Sequence, residues 1–270
     1  MHEITSYEFS KVLPLFSGWD HHMAIRAAAE GKARSRVWVD FDDSPTAAAV
    51  CFGVRLLIAG DSQNIACRDA IVDFVQNAVL QNQIERMRHF VMIFWDEPGW
   101  KEVLPDSLEG YNPILREREY YRQDMANIFN NPALPAGYEL RRVDSSFLNE
   151  REWRHKSALQ YEMCSERVSL EDFLEHSFGV CAVQGDEIAG WCLSEYNNSS
   201  GCEVGIELLE SHQRKGIGTA LTLALFSEAR KRGLPYVGWS CFKDNLPSRA
   251  TARKAGLSKV KDYQVIVVQR

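Results

Sequence analysis

Residues 202–257 read CEVGIELLESHQRKGIGTALTLALFSEARKRGLPYVGWSCFKDNLPSRATARKAGL, and this stretch decides the fold. It opens with a strand pattern over 202–208 and continues with a helix pattern over 217–232. A second strand pattern over 236–241 and a short helix pattern over 247–254 follow. Strands that alternate with helices in this way predict an α/β domain whose helices pack on the faces of a sheet.

A glycine turn, Gln213-Arg214-Lys215-Gly216-Ile217-Gly218, joins the first of these strands to the first helix. Its two glycines let the backbone turn tightly, and the first helical turn presents unpaired N–H groups beside a positive dipole end. Arg214 and Lys215 add positive charge, so a pyrophosphate would fit. The turn is not a Walker A loop, because no Gly-Lys-Ser/Thr closes it. Taken alone, such a turn is weak support for a binding site, since glycine turns between strands and helices are common.

Three motifs together carry a family resemblance. The pattern Gln/Arg-x-x-Gly-x-Gly/Ala at 213–218 resembles the acetyl-CoA signature of the GNAT superfamily of N-acetyltransferases. Residues 239–241, then Asn245-x-x-Ser248 and the segment 254–257, resemble the next motif of that superfamily. With the segment 203–207, the pattern is most similar to the two-domain GNAT acetyltransferase family related to zwittermicin-A-resistance proteins. The resemblance implies a GNAT acyl-CoA N-acyltransferase fold, an α/β (α+β) mixed sheet flanked by helices, with acetyl-CoA as cosubstrate and no metal.

The resemblance also implies a role for individual residues. Backbone amides after Gln213 would hold the CoA pyrophosphate, and the strand backbone at 206–208 would pair with the pantetheine arm. Asn245 would bind that arm, with Ser248 nearby; the alternatives are a plain N-cap for Asn245 and a solvated first-turn serine for Ser248. The expected cofactor-binding residues are Ile206, Glu207, Leu208, Gln213, Arg214, Lys215, Gly216, Ile217, Gly218, Thr219, Asn245 and Ser248.

Acetyl transfer to an amine needs a base that takes the ammonium proton, and a strand amide can stabilise the oxyanion. Glu203 and Glu207 lie on one face of the strand with Gly205 between them, where a glycine leaves room for a ligand. Glu203 matches the usual base position better, Glu207 is the second candidate and Glu195 is the third. The alternative is that these carboxylates face solvent at a sheet edge.

The sequence departs from the family at the group that protonates the leaving thiolate. Many GNAT enzymes carry a tyrosine where this chain has Ala252, and Leu257 replaces the phenylalanine of the same motif. Tyr196 and Tyr263 are possible replacements that nothing in the sequence selects, and water is another. Cys241 lies near the expected cofactor channel, but without a paired histidine a covalent cysteine mechanism is not expected.

The chain divides at a linker-like stretch, residues 130–137, which holds two prolines, a glycine and two asparagines. The expected domains are residues 1–136 on the acceptor side and residues 137–270 as the catalytic, acetyl-CoA-binding domain. In the first, strands over 37–41, 47–59, 90–95 and 114–121 and helices over 65–80 and near residue 100 give the order β-β-α-β-α-β. This order resembles that of the second half from residue 178 onward, so the first domain is interpreted as a smaller α/β domain, a degenerate GNAT-like repeat. The remaining predictions are strands over 138–143, 178–184, 188–196 and 263–268, and a helix over 146–161.

Composition and charge narrow the function classes. The chain has 45% hydrophobic and 25% charged residues, and no apolar run long enough to span a membrane. The first residues have neither a basic n-region nor an apolar h-region, so no secretory signal is expected and the expected location is cytoplasmic. Residues 1–136 contain 13 Lys+Arg against 19 Asp+Glu, whereas residues 137–270 contain 18 of each. This excess of acid disfavours nucleic acid as a partner and favours a cationic amine. Neither the histidines nor the seven cysteines have metal-ligand spacing.

The leading hypothesis is therefore an N-acetyltransferase that acts on a primary amine of a small cationic molecule. A non-catalytic acyl-CoA-binding sensor is an alternative that the missing tyrosine favours. A protein or peptide N-acetyltransferase is another, and it would need an open groove in place of an enclosed pocket. The sequence leaves the oligomeric state open, with a homodimer as one expectation.

Overall fold

The computed structural model describes residues 1–80, 90–127 and 133–269. The chain forms two compact units, a first unit of Met1–Arg118 with Asp262–Arg270 and a second unit of Glu119–Lys261. It passes from the first unit to the second within one strand and returns within its last strand. The domain division predicted near residue 136 stays a prediction, and residues 130–132 of the predicted linker lie outside the described residues.

The first unit is built on a mixed sheet. Its strands are β1 (His2–Ile4), β2 (Arg36–Val39), β3 (Ala47–Phe52), β4 (Arg55–Gly60), β5 (Phe90–Phe94) and the start of β6 (Ile114–Asp124). Its helices are α1 (Met23–Ala29), α2 (Ile65–Phe74), which continues as a π-helical turn over Val75–Leu80, and α3 (Trp100–Ser107); the 3-10 turns are Ser6–Lys11, Leu13–Phe16 and Glu109–Tyr111. Strands β1 to β4 pair antiparallel in chain order, and β4 pairs parallel to β5. The end of β12 (Ser258–Gln269) pairs antiparallel to β5.

The single strand predicted over 47–59 is wrong, because this segment is the hairpin of β3 and β4. The register runs from the Ala47–Gly60 pair to the Phe52–Arg55 pair, and the turn between them contains Gly53 at a φ of 55°. Glycine adopts this left-handed conformation without steric penalty. Every residue of β3 is buried, so the strand shows no apolar–polar alternation that would have marked where it ends.

The second unit has a mixed sheet of its own. Its strands are β7 (Glu139–Arg142), β8 (Gly179–Gln184), β9 (Glu187–Asn198), β10 (Gly201–Leu208) and β11 (Tyr236–Phe242), with the end of β6 and the start of β12. Its helices are α4 (Ser145–Glu150), α5 (Lys156–Met163), α6 (Leu170–His176), α7 (Ile217–Lys231) and α8 (Leu246–Lys254), with a 3-10 turn over Glu210–His212. One apolar cluster packs α7 and α8 against the sheet, and another packs α4, α5 and α6 against it.

The helix predicted over 146–161 is also wrong, because two helices, α4 and α5, take its place. Arg151 is extended and His155 has a φ of 66°, so the helical hydrogen bonding stops between them. Trp153 lies in this break, 5% exposed, and its indole N–H donates to the Phe147 carbonyl at 3.1 Å. Burial of this indole fixes a conformation that the polar sequence around it does not indicate.

The two units repeat one order of elements. In the first unit the order is β2-β3-β4-α2-β5-α3-β6, and in the second it is β8-β9-β10-α7-β11-α8-β12. The pairing senses agree as well, because the third strand of each series is antiparallel to the second and parallel to the fourth. The extra strand that the β3–β4 hairpin supplies completes this agreement. Descent of both units from a duplicated segment stays a prediction.

Candidate functional site: a strand opening and a glycine loop

Strands β10 and β11 part in the second unit. They pair over only three positions, Gly201–Tyr236, Cys202–Val237 and Glu203–Gly238, although both strands continue past them. On its other edge β10 stays paired to β9 as far as Leu208. The backbone of residues 206–208 thus has an edge without a β11 partner, as the family resemblance implies for a strand that receives pantetheine.

The loop that follows β10 turns through two left-handed residues, Arg214 at a φ of 60° and Gly216 at 85°. Left-handed residues in a short loop turn successive N–H groups towards one side, a geometry that binds anions. Within the described residues, no hydrogen-bond acceptor meets the six backbone N–H groups from Arg214 to Thr219, and the first helical bond runs from the Ala220 N–H to the Gly216 carbonyl. Six donors without partners at the positive end of α7 make an anion site suited to a pyrophosphate.

Side chains hold the loop in place. The Gln213 amide donates to the Leu208 carbonyl at 3.1 Å and so connects the loop to the end of β10. His212 is 4% exposed, and its Nδ1 lies 2.8 Å from the hydroxyl of Tyr138, which also accepts from the Lys215 ammonium at 3.2 Å. The exposed Arg214 guanidinium adds positive charge at the loop. The sequence did not identify the contribution of Tyr138, which precedes β7.

Helix α7 begins close to β10 and α8. Gly218 and Ile217 are buried, and Thr219 is half-buried. A Cβ on Gly218 would lie 3.2 Å from Leu208 Cδ1 and 3.4 Å from Thr251 Cγ2, so even an alanine there would require the Leu208 side chain to move by a few tenths of an ångström. The Thr222 hydroxyl donates to the Gly218 carbonyl at 2.8 Å. The second glycine of the motif thus lies in a close contact of α7 with Leu208 and Thr251.

Asn245 and Ser248 have structural roles at the start of α8. The Asn245 side chain accepts from the Ser248 N–H at 3.1 Å, which makes it the N-cap of the helix, as one of the two alternatives proposed. The Ser248 hydroxyl accepts from the indole N–H of Trp239 at 3.0 Å and so joins α8 to β11. Contact of either residue with pantetheine stays a prediction.

Glu203 lies where the paired part of β10 and β11 ends. It is 7% exposed, and its partner across the parallel pair is Gly238, which has no side chain. Its carboxylate makes no hydrogen bond or ion pair with any residue in the described part of the chain. A largely buried carboxylate without a partner is unusual in a folded protein, and such groups are found at functional sites. Glu207, on the same face, is exposed.

Glu195 lies over Gly205, a placement that the sequence did not predict. Glu195 is the antiparallel partner of Glu203 on β9, so both side chains project from the same face of the sheet. A Cβ on Gly205 would lie 2.0 Å from Glu195 Oε1, so the space left by this glycine holds a carboxylate of the protein. The candidate base therefore has a second carboxylate beside it, and Gly205 is required for that arrangement.

The positions considered for the acid that protonates the leaving thiolate lie in different surroundings. Ala252 is fully buried in the apolar cluster under α7, together with Leu257 and Cys241. Tyr196 is 3% exposed with a φ of 47° and belongs to the second unit. Tyr263 belongs to the first unit, and its hydroxyl accepts from the Arg118 guanidinium at 2.9 Å.

The sequence also did not predict a role for Glu119, a buried acid. Arg249 of α8 donates to its two carboxylate oxygens at 2.7 and 3.1 Å, Tyr121 donates its phenol, and the Lys259 ammonium lies 3.7 Å away. Glu119 is 1% exposed. Burial raises the pKa of this carboxyl, but the hydrogen bonds from Tyr121 and Arg249 outweigh it and hold the pKa below the ordinary range. The Glu119–Arg249 ion pair connects α8, and with it the Asn245 segment, to β6.

Two features are absent from the described parts of the chain. In residues 1–80, 90–127 and 133–269, no three His, Cys, Asp or Glu side chains come together as a metal site would require. None of the helices over those same ranges has the length and apolar character needed to cross a bilayer.

Solved structures of other proteins have a similar fold. A structure of a GCN5-related N-acetyltransferase-like protein from Streptococcus suis is similar at 19% identity, with a TM-score of 0.72 over 98% of this chain and 99% of that one. A GCN5-related N-acetyltransferase from Sphaerobacter thermophilus has 14% identity and a TM-score of 0.65 over 99% and 94%. A tandem GNAT protein from the clavulanic acid biosynthesis pathway has 11% identity and a TM-score of 0.62 over 99% and 97%. These identities show the fold alone, and no curated protein matches the chain. The GNAT acetyltransferase family matches residues 13–266, and the chain therefore belongs to this family of acyl-CoA-dependent acyltransferases.

Proposed function

We propose that this protein transfers the acetyl group of acetyl-CoA to a primary amine of a small cationic molecule in the cytoplasm. The observation that carries the proposal is the combination at the β10–β11 opening. Six backbone N–H groups follow the end of β10, and the buried Glu203 carboxylate lies where the strands part; none of them has a hydrogen-bond partner among the described residues. The N–H groups are suited to bind a phosphorylated cofactor, and the Glu203 carboxylate is suited to remove a proton from an amine.

The glycine loop and the free edge of β10 would hold different parts of acetyl-CoA. The amides from Arg214 to Thr219 would take the pyrophosphate, with the Arg214 charge beside them. The unpaired edge of residues 206–208 would pair with the amides of the pantetheine arm. When bound, acetyl-CoA supplies an activated acetyl thioester, so the protein needs no covalent intermediate of its own.

Glu203 is the general base of this proposal. An amine at the opening arrives as an ammonium ion, and the Glu203 carboxylate removes its proton, directly or through a water molecule. Glu195 adds negative charge on the same face and so favours a cationic acceptor there. Glu207 is exposed at the end of β10 and is better placed beside the cofactor than as a base.

The experiment measures CoA release from acetyl-CoA against a panel of polyamines, amino sugars and aminopolyols. At least one amine should be acetylated, and Glu203→Gln should lower kcat by about 100-fold or more, in the range for loss of a general base. The affinity for acetyl-CoA should stay unchanged. Glu139→Gln is the matched control, because Glu139 is an exposed acid on β7 and its replacement changes the charge equally. Equal turnover in the two variants would remove Glu203 as the base.

One observation favours a second function, that of a non-catalytic acyl-CoA sensor. The position where related enzymes carry a tyrosine is Ala252, fully buried in the core, so no hydroxyl is available there. Acetyl-CoA binding without turnover of any amine in the panel would support the sensor and reject the transferase.

A further inference from the structure

The first unit contains a cleft of about 440 Å³, and none of its lining residues belongs to the candidate site described above. Its walls are mainly apolar and include Leu15, Trp19 and Ile58. Asp61 and Glu97 line it as well, and none of the described residues that line it is basic. A volume of this size lies within the range of roughly 300–1,000 Å³ found for small-molecule sites.

The cleft lies beyond the point where the parallel pairing of β4 and β5 ends. Strands β4 and β5 pair from Arg55–Met92 to Leu57–Phe94, and the next residues of β4, Ile58 to Gly60, line the cleft. Asp61 follows the carboxyl end of β4, and Glu97 follows that of β5. In open α/β sheets this end of parallel strands is where ligands bind.

The charge of this site is opposite to that of its counterpart. The loop from β4 to α2 corresponds to the glycine loop of the second unit, but its helix is capped from within, since Asn64 Oδ1 accepts from the N–H groups of Ala66 and Cys67. Those donors are unavailable to a phosphate. Asp61 takes the place of basic residues, so the site repels anions.

The carboxylates of the cleft have no cationic partner among the described residues. Asp61 accepts through one oxygen from the Gln63 N–H at 2.9 Å, and its other oxygen makes no contact. Glu97 accepts from the N–H groups of Ser62 at 3.3 Å and Gly99 at 2.8 Å, and from no side chain. Two carboxylates without a cationic partner among the described residues thus line the cleft.

The thiol of Cys67 responds to this charge. Burial is the main reason that its pKa rises to about 11, and the negative charges of Asp40, Asp61 and Glu97 raise it further. The Asp40 carboxylate accepts a hydrogen bond from the hydroxyl of Thr46, a residue that lines the cleft. The rim of the cleft is thus a region of negative potential next to an apolar wall.

We propose that this cleft binds a small organic cation, a primary ammonium head attached to an apolar body. The ammonium would lie between Asp61 and Glu97, and the body would pack against Leu15, Trp19 and Ile58. The binding does not depend on the acetyl transfer proposed above, and it is a property of the first unit alone.

The test is calorimetric titration of phenethylammonium into the full-length protein without acetyl-CoA. We expect saturable binding that is at least about tenfold tighter than that of 2-phenylethanol, which has the same ring without the charge. Ethylammonium, which lacks the ring, should also bind at least about tenfold more weakly. Quenching or shift of tryptophan fluorescence on binding gives a second readout through Trp19.

Variants place the binding in the cleft. Asp61→Asn should weaken phenethylammonium binding about tenfold, and its Oδ1 can still accept from the Gln63 N–H, so the loop is retained. Glu102→Gln, an exposed acid on α3, is the matched control and should bind as the parent protein does. Absence of binding to the parent protein, equal affinity for the alcohol, or unchanged affinity of Asp61→Asn would each overturn the proposal.

Discussion

The conformation of the glycine loop can be tested with Gly216→Ala. A Cβ at Gly216 meets no atom within 4 Å, so the substitution causes no clash, but the φ of 85° is one that an L-residue adopts at a cost of about 1–2 kcal/mol. The side chains of Gln213 and Lys215 hold the loop at those two residues, but no acceptor among the described residues holds the backbone N–H groups from Arg214 to Thr219. The substituted loop should therefore relax in the free protein, and binding of acetyl-CoA must restore its conformation.

Restoring the loop conformation on binding weakens the affinity for acetyl-CoA by an amount that can be calculated. A penalty of about 1–2 kcal/mol corresponds to a 5- to 30-fold increase in the Kd for acetyl-CoA, measured by calorimetry. Gly185→Ala is the matched control, because Gly185 has a φ of 62° in the β8–β9 turn and also has open space at its Cβ. It should lower the free energy of unfolding without changing the Kd. Unchanged affinity in Gly216→Ala, or equal loss in both variants, would refute the assignment of the loop as the anion site.

Three further predictions concern the carboxylates of Glu119 and Glu195. Glu119→Gln should lower the free energy of unfolding in urea by roughly 2 kcal/mol, since it leaves Arg249 without a counter-charge, whereas Glu150→Gln, at an exposed pair, should cost less than about 1 kcal/mol. The pKa of Glu119 is raised by burial but lowered overall by its hydrogen bonds, so its stabilisation is complete above the ordinary value of 4.5 and is lost as pH falls through the lowered pKa. Urea titrations at decreasing pH should show this loss in the parent protein and not in Glu119→Gln. Gly205→Ala would displace the Glu195 carboxylate and should lower kcat while the Kd for acetyl-CoA stays constant; unchanged kcat would remove Glu195 from the site.

The glycine loop could be predicted from sequence because its signal is local. Two glycines, two basic residues and the helix pattern after them lie within a few positions, and the structure shows the left-handed turn at Gly216 and the start of α7 at Ile217. The position of Glu203 within a strand, on the same face as Gly205, was local in the same way. Such features depend on backbone conformation and pattern, which neighbouring residues determine.

The remaining parts of the site depend on residues far apart in the chain. Glu195 covers Gly205 because of the β9–β10 register, and a shift of one residue would turn its side chain to the other face. Glu119 and Arg249 meet although 130 residues separate them. The break at Trp153 likewise follows from burial of an indole in a core that a single segment does not reveal.

Hydrogen–deuterium exchange with and without acetyl-CoA tests the central claim most directly, because it observes the loop amides themselves. The account predicts that saturating acetyl-CoA slows exchange across Arg214–Thr219 and leaves residues 61–67, the corresponding loop of the first unit, unchanged. Unchanged exchange in Arg214–Thr219 at saturation, or protection at residues 61–67 in its place, would contradict it.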